Sequence, residues 1–349
     1  MAKLSVIIPC FNNGHYLKEM MDCCLKQTLV DWELIVVDDQ STDEATPQIV
    51  RDYAEKDNRI KLFVRNRAPK GSVVCRNIGF ELSSGEYIIH FDADDLISDT
   101  CFEKRVQFMD ENPDCDYASF PAKCFNDGDA LPLWDGKADY GVSLGDKDLL
   151  FYFLSTNYPF SVWCNIYRRE SIKNLPWDEN VKIYTDFSYI VPCILSGLKH
   201  KFSELPDYDY YYRKFVKKKE NSNNMCSNFI SRDKCISTIY LFNKVFKALS
   251  AREDKQVLFR SFSRFVQLHF ERLLQTNNSE TIDEYINTIS PYYPDLSKSF
   301  IAIKKKVINK INGHLNQAMI HYLLYKHFGN KYNRVMCVHE IGKWILCRP

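Results

Sequence analysis

The chain has 349 residues, room for one large domain or two, and at 45% hydrophobic and 26% charged it has the makeup of a folded soluble protein, which excludes a disordered or fibrous chain. Its net charge of +1 conceals a split: residues 1–212 carry 22 Lys/Arg against 35 Asp/Glu, net −13, and residues 213–349 carry 24 against 10, net +14. No run of 18 apolar residues supplies a membrane-spanning helix, the apolar stretch after Lys3 is too short for a signal peptide, and thirteen scattered cysteines without C-x-x-C spacing read as reduced cytosolic thiols.

Leu4–Pro9 is an apolar run ended by proline, the pattern of a buried strand. Leu17, Met20, Met21, Cys24 and Leu25 then recur at the spacing of an amphipathic helix that starts near Asn12-Asn13-Gly14. Glu33–Val37 predicts the next strand, ending in Asp38-Asp39. Ser41-Thr42-Asp43 predicts the cap of a helix reaching Lys56. A strand at Ile60–Val64, a helix from Gly71-Ser72 to Leu82 and a strand over 86–91 follow. Beyond residue 100 the pattern predicts a helix over 102–112, strands at Cys115–Pro121 and Ser161–Tyr167, a long loop over 126–145, and a helix Asp186–Leu195 interrupted near Pro192. Residues 217–224 read as a polar linker, and from about 220 the periods are helical.

Strands alternating with helices imply an α/β fold with a mostly parallel sheet covered on both faces. Ligands of such sheets bind beyond the carboxyl ends of the strands. Three segments put polar residues there: Phe11-Asn12, Asp38-Asp39, and Asp92 with Asp94 and Asp95. Three carboxylates within four positions repel one another unless a cation or donors neutralise them. Hard oxygen ligands suit Mg²⁺ or Mn²⁺, ions that share their coordination with a substrate phosphate. The pattern therefore predicts a phosphorylated ligand held through a divalent metal. His90, inside the strand, reads as a core histidine, and Cys10 as a small buried hydrophobe.

Ser5-Val-Ile-Ile-Pro-Cys-Phe-Asn-Asn13, Leu34-Ile-Val-Val-Asp-Asp-Gln-Ser-Thr-Asp43, Gly71 through Gly79, and Gly85 through Asp95 together resemble the family 2 glycosyltransferases, inverting enzymes of the GT-A fold. The likeness covers roughly residues 1–213. It implies a catalytic domain over 1–215 and leaves 216–349 as a mainly helical region. It puts Pro9, Phe11 and Asn12 in the nucleotide pocket, Asp39 on the nucleobase N3–H of uracil, and Arg76 and Arg213 near the diphosphate. Asp92-Ala93-Asp94 is the DXD motif, with Asp94 the direct metal ligand and Asp92 on the ribose or a metal-bound water. The catalytic base falls at Asp186, where Thr185 replaces the family's usual Glu. Gln40 stands where many relatives have Gly. For Asp186 the residues alone also allow a helix cap, and for Tyr210–Arg213 an edge strand.

The resemblance implies a metal-dependent transfer of a hexose or N-acetylhexosamine from a UDP-sugar to a hydroxyl of a glycan or lipid-linked acceptor, in synthesis of a bacterial surface polysaccharide. An inactive module that binds nucleotide-sugar or glycan is the alternative; Thr185 favours it, and the carboxylates at 39, 92, 94 and 186 favour the enzyme. The basic half shows no nucleic-acid module. His314–Leu346 mixes Tyr322, Tyr325, Phe328 and Trp344 with basic residues, which suits an anionic membrane surface, packing on the first domain, or a homodimer seam. The implied location is cytoplasmic, with a peripheral membrane position open.

Overall fold

The structure, a computed structural model, describes residues 2–146, 148–215, 231–275 and 278–307. The chain divides into two compact units. The first comprises Met1–Phe153, Asn157–Asn180 and Tyr184–Asn221. In chain order its first half holds β1 (Leu4–Cys10), α1 (Gly14–Leu25), β2 (Trp32–Asp38), α2 (Ala45–Ala54), β3 (Ile60–Val64), α3 (Ser72–Leu82), β4 (Tyr87–His90), β5 (Leu96–Ile97) and α4 (Cys101–Glu111). Then come β6 (Tyr117–Ser119), β7 (Ala122–Asn126), α5 (Leu149–Leu154), a 3₁₀ turn at Val162–Cys164, β8 (Asn165–Arg168), α6 (Arg169–Ile172), α7 (Thr185–Leu195), β9 (His200–Phe202) and β10 (Tyr210–Lys214).

Seven strands form one sheet in the order β3-β2-β1-β4-β8-β6-β9. The four on the β3 side are parallel, and β8 runs antiparallel to both β4 and β6. Strands β1 and β2 are buried on both faces: Leu4, Val6, Ile7, Ile8, Leu34, Ile35, Val36 and Val37 are wholly inaccessible, whereas the edge strand β3 is only partly covered. That burial is why these strands read as unbroken apolar runs rather than alternating ones. Helix α3 lies close on β1 because Gly79 lacks a side chain; a Cβ there would meet Ile7 Cγ2 at 2.3 Å. A second sheet, β5-β10-β7, carries the residues that follow the carboxylate cluster.

Several expectations change. Tyr210–Arg213 is not an edge strand but the middle strand of the small sheet. Ser161–Tyr167 is not a continuous strand: it opens with the 3₁₀ turn, and extended pairing starts at Asn165. Pro192 sits inside α7 without ending it, and its carbonyl accepts from Ser196 N–H at 2.9 Å. The short elements β5, β7, β9 and α5 carry too few residues to show a period. The second helix starts at Ala45, with the Asp43 carboxylate accepting from Thr46 N–H at 2.7 Å.

The second unit holds α8 (Arg232–Ser250), α9 (Lys255–Gln275), α10 (Ser279–Ile289) and α11 (Pro294–Val307), with Leu154–Thr156 and Val181–Ile183. Its core is aromatic. Phe242 meets Phe262 and Phe265 edge-on at 4.9 and 5.0 Å, and Phe270 stacks on Phe300 at 3.6 Å. Of the basic run 304–306, Lys304 is taken up by Asp283 at 2.5 Å. No helix among the described residues is long and apolar enough to cross a membrane. The linker at 217–224 and the segment with Tyr322, Tyr325, Phe328 and Trp344 lie outside the described residues.

Candidate active site

The pairing of β2 with β1 and of β1 with β4 brings Asp39, Phe11, Asn12 and the Asp92–Asp95 loop to one edge of the sheet. Pro9 is within β1, one residue before its end. Asn12, in the left-handed region at φ +50°, ties this edge together. Its Oδ1 accepts from Thr42 N–H at 2.8 Å and Asp43 N–H at 3.2 Å, and its Nδ2 donates to Thr42 Oγ1 at 2.8 Å. Phe11 is exposed at the mouth, with Lys70 Nζ 3.3 Å from its ring centre.

Asp39 is buried, and Arg65 Nε and, at 3.3 Å, Gly71 N–H donate to its Oδ1. Gln40 explains the missing glycine. It occupies the left-handed region at φ +59°, and its side chain offsets the strain by locking Arg65, donating to the Arg65 carbonyl at 2.9 Å and accepting from Nη2 at 3.1 Å. Asp38 is structural, accepting from Ser41 Oγ at 2.5 Å and Ser41 N–H at 3.1 Å. Cys10 is buried beside it, and burial pushes the thiol well up.

Arg76 projects from α3 to Asp92, Nη2 to Oδ1 2.5 Å. Its guanidinium also lies over the Trp177 ring, 4.8 Å from the centre, and Trp177 stacks on Tyr189 at 4.1 Å. Arg76 Nε is buried and has no hydrogen-bond partner among the described residues. Burial, assisted by Asp94 and Asp186, pushes Asp92 up to about 6 against the pull of Arg76. Asp186, more than ninety residues along the chain, is near enough for its charge to act on Asp92. Burial also raises Asp94. Asp95 is a clamp: its carboxyl accepts from Tyr210 Oη at 2.5 Å and Arg213 N–H at 2.7 Å, and burial with the Asp94 and Asp92 charges holds it well above the usual range. His90 is a core residue, ringed by Tyr167, Trp177 and Tyr189 and kept neutral by burial and Arg76.

Asp186 lies in the first turn of α7, where the helix dipole favours a carboxylate. It does not cap that helix. Its Oδ2 instead accepts from Ser161 Oγ and, at 3.4 Å, Val162 N–H. Tyr184, the residue before the helix, is left-handed at φ +58°. Arg213 is committed to protein partners: Nη1 to Asp127 at 2.8 Å, Nη2 to Glu19, and Nε to the Asp94 carbonyl at 2.7 Å. It braces the carboxylate loop through these bonds.

Residues 5–175 match the family model described as Glycosyl transferase family 2. An uncharacterized glycosyltransferase of Haemophilus influenzae is 31% identical over 247 residues, covering 71% of this chain and 89% of that protein. The chain belongs to glycosyltransferase family 2. As a glycosyltransferase it is an enzyme, and its fold agrees. The S. aureus TarS 1-349 structure in complex with UDP-GlcNAc superposes with a TM-score of 0.62, covering 97% of this chain and 89% of that one at 20% identity, a likeness of fold. The minor teichoic acid biosynthesis protein GgaB of Bacillus subtilis is 25% identical over 341 residues, 96% of this chain but 36% of its own length.

Arg65, Lys70, Ser161 and Trp177 stand against the candidate residues, and the sequence did not point to them. Arg65 follows a strand as Asp39 does, which is a usable signal. A lone serine before an apolar run and a tryptophan in a loop carry none.

Proposed function

We propose that this glycosyltransferase moves a hexose or N-acetylhexosamine, with inversion, from a UDP-sugar to a hydroxyl of a glycan or lipid-linked acceptor in the making of a surface polysaccharide. The observation that carries the reading is the Arg76–Asp92 ion pair beyond the end of β4, with Asp186 near enough for its charge to act on Asp92. The UDP-GlcNAc held by the TarS structure and the teichoic acid role in GgaB's name support the donor and acceptor classes.

In this reading Asp39 accepts from the uracil N3–H, with Arg65 holding its carboxylate in place and Phe11 bordering the base. Arg76, with an unpartnered Nε, receives a diphosphate oxygen. Among the described residues no three His, Cys, Asp or Glu side chains gather around one point. Asp94 and Asp92 nevertheless fit a hard ion that completes its shell with diphosphate and water, since their mutual repulsion is what a cation relieves. Mn²⁺ or Mg²⁺ bound there would neutralise charge on the leaving diphosphate.

Asp186 takes the proton of the acceptor hydroxyl. The acceptor oxygen forms its bond to the anomeric carbon as the carbon–diphosphate bond breaks. UDP leaves with that electron pair, and the configuration inverts in one displacement without a covalent enzyme intermediate. The test is release of UDP from a panel of UDP- and GDP-sugars with and without Mn²⁺. Turnover confined to UDP-sugars and dependent on metal supports the reading; turnover of GDP-sugars alone overturns it.

A further inference from the structure

Strand β8 runs antiparallel to β4, with Ile89 opposite Ile166, so the residues just before β8 pass beyond the end of β4 where Asp92 emerges. Ser161 stands there in extended conformation, and Cys164 N–H returns to its carbonyl at 3.1 Å to close the 3₁₀ turn. The turn is firmly held. The Trp163 ring stacks on Tyr210 at 4.6 Å and 9° and on Tyr212 at 5.3 Å and 10°. The Trp163 carbonyl accepts from Arg105 at 3.0 Å, and Arg105 is wholly buried and paired with Asp209 at 2.6 Å.

From this turn two donors, Ser161 Oγ and Val162 N–H, reach Asp186 Oδ2. Among the described residues no side chain or backbone group donates to Oδ1. A carboxylate fixed through one oxygen presents the other in one direction. Asp186 is the second residue of α7 and not its cap, and both of its Oδ2 donors lie on another element.

We propose that Ser161 is a positioning residue for glycosyl transfer: it holds Oδ2 of Asp186 so that Oδ1 meets the acceptor hydroxyl. The inference rests on the reading of Asp186 as the base. During transfer the proton passes from the acceptor oxygen to Oδ1, while Ser161 keeps its own proton and its bond to Oδ2.

The test uses the full chain with Mn²⁺ and UDP-GlcNAc or UDP-glucose, reading UDP released by transfer to water, together with crystal structures of the variants. Ser161→Ala lowers kcat about 10- to 100-fold while the donor KM stays within about twofold. Ser161→Thr, which keeps the hydroxyl, restores most of kcat. Ser161→Cys has the size of serine and a weak donor, behaves as the alanine variant, and replaces it if alanine impairs folding. The crystal structure of Ser161→Ala shows the Asp186 carboxylate turned from its native orientation, a readout that needs no turnover. Wild-type kcat in both Ser161→Ala and Ser161→Cys, or an unmoved carboxylate, overturns the proposal. Asp186→Asn separates the two levels: if it keeps wild-type kcat the base reading itself fails, and if it is inactive while Ser161→Ala is not, only the role of Ser161 falls.

Discussion

Arg76 and Asp92 form an ion pair in which the arginine is buried and the carboxylate remains about one-third open, 34% of its side chain being accessible. One guanidinium faces Asp92, and Asp94 and Asp186 both add negative charge to the neighbourhood. The site therefore carries an excess of acid over base, the electrostatic condition for holding a cation between protein and diphosphate.

The idle Nε of Arg76 gives the first prediction. Arg76→Lys keeps the charge but loses the planar fork. UDP affinity by calorimetry should fall about 10- to 100-fold, roughly 1.4–2.8 kcal/mol. Unchanged affinity would remove Arg76 from the diphosphate pocket.

Base selection should reside in Asp39 and its partner Arg65. The unaltered enzyme should bind UDP well above GDP, and Asp39→Ala should erase the difference. Arg65→Ala should weaken UDP binding less, because the carboxylate survives without its brace. Tighter binding of GDP by the unaltered enzyme contradicts this assignment.

Glu33 links β2 to the segment entering β4. It accepts from Ser5 Oγ at 2.8 Å, Ser84 N–H at 2.6 Å and Lys61 Nζ at 2.7 Å. Burial opposes its charge, but Lys61 and the serine donors outweigh it and hold the group down to about 2, from an ordinary 4.5. A depressed carboxylate contributes stability that is complete above its unfolded value and lost as pH falls through the folded one. The loss, on the order of 3 kcal/mol, falls between about pH 4.5 and 2. Urea midpoints measured across that range should show the slope, and Glu33→Gln should flatten it.

Gly79→Ala places a methyl against Ile7 Cγ2, a contact that forces α3 away from β1. Overpacking of this kind costs about 1–3 kcal/mol. Because α3 carries Arg76, UDP affinity should fall together with the unfolding midpoint, and Ile7→Ala in the same chain should recover part of both. A Gly79→Ala protein with native midpoint and affinity would show that α3 has room to spare.

Strands β1, β2 and β4 and the helices between them were legible because strands buried on both faces leave continuous apolar runs, and because Leu17, Met20, Met21 and Cys24 mark one face of α1. Asp39, Asp92 and Asp94 were legible because carboxylates at strand ends stand against apolar surroundings. What stayed hidden depends on tertiary contact. Whether Arg213 points to a ligand or to Asp127 and Glu19 is decided by residues 86 and 194 positions away. Gln40 stood only as a departure from the family's Gly until its bonds to Arg65 were seen. Pro192 lies inside α7, where proline costs one helix bond, but the buried Ile190, Val191 and Cys193 around it hold the last turn in place. Ser161 needed the β4–β8 pairing to bring it to Asp186.

The central claim is that Asp186 does chemistry and does not bind donor. Single-turnover transfer with Asp186→Asn, alongside calorimetry of the same protein with the UDP-sugar and Mn²⁺, tests it most directly. The account predicts donor affinity within about twofold of the unaltered enzyme and a chemical step slowed about 10²- to 10⁴-fold. Collapse of donor affinity with a normal chemical step would contradict it and move Asp186 into the donor site.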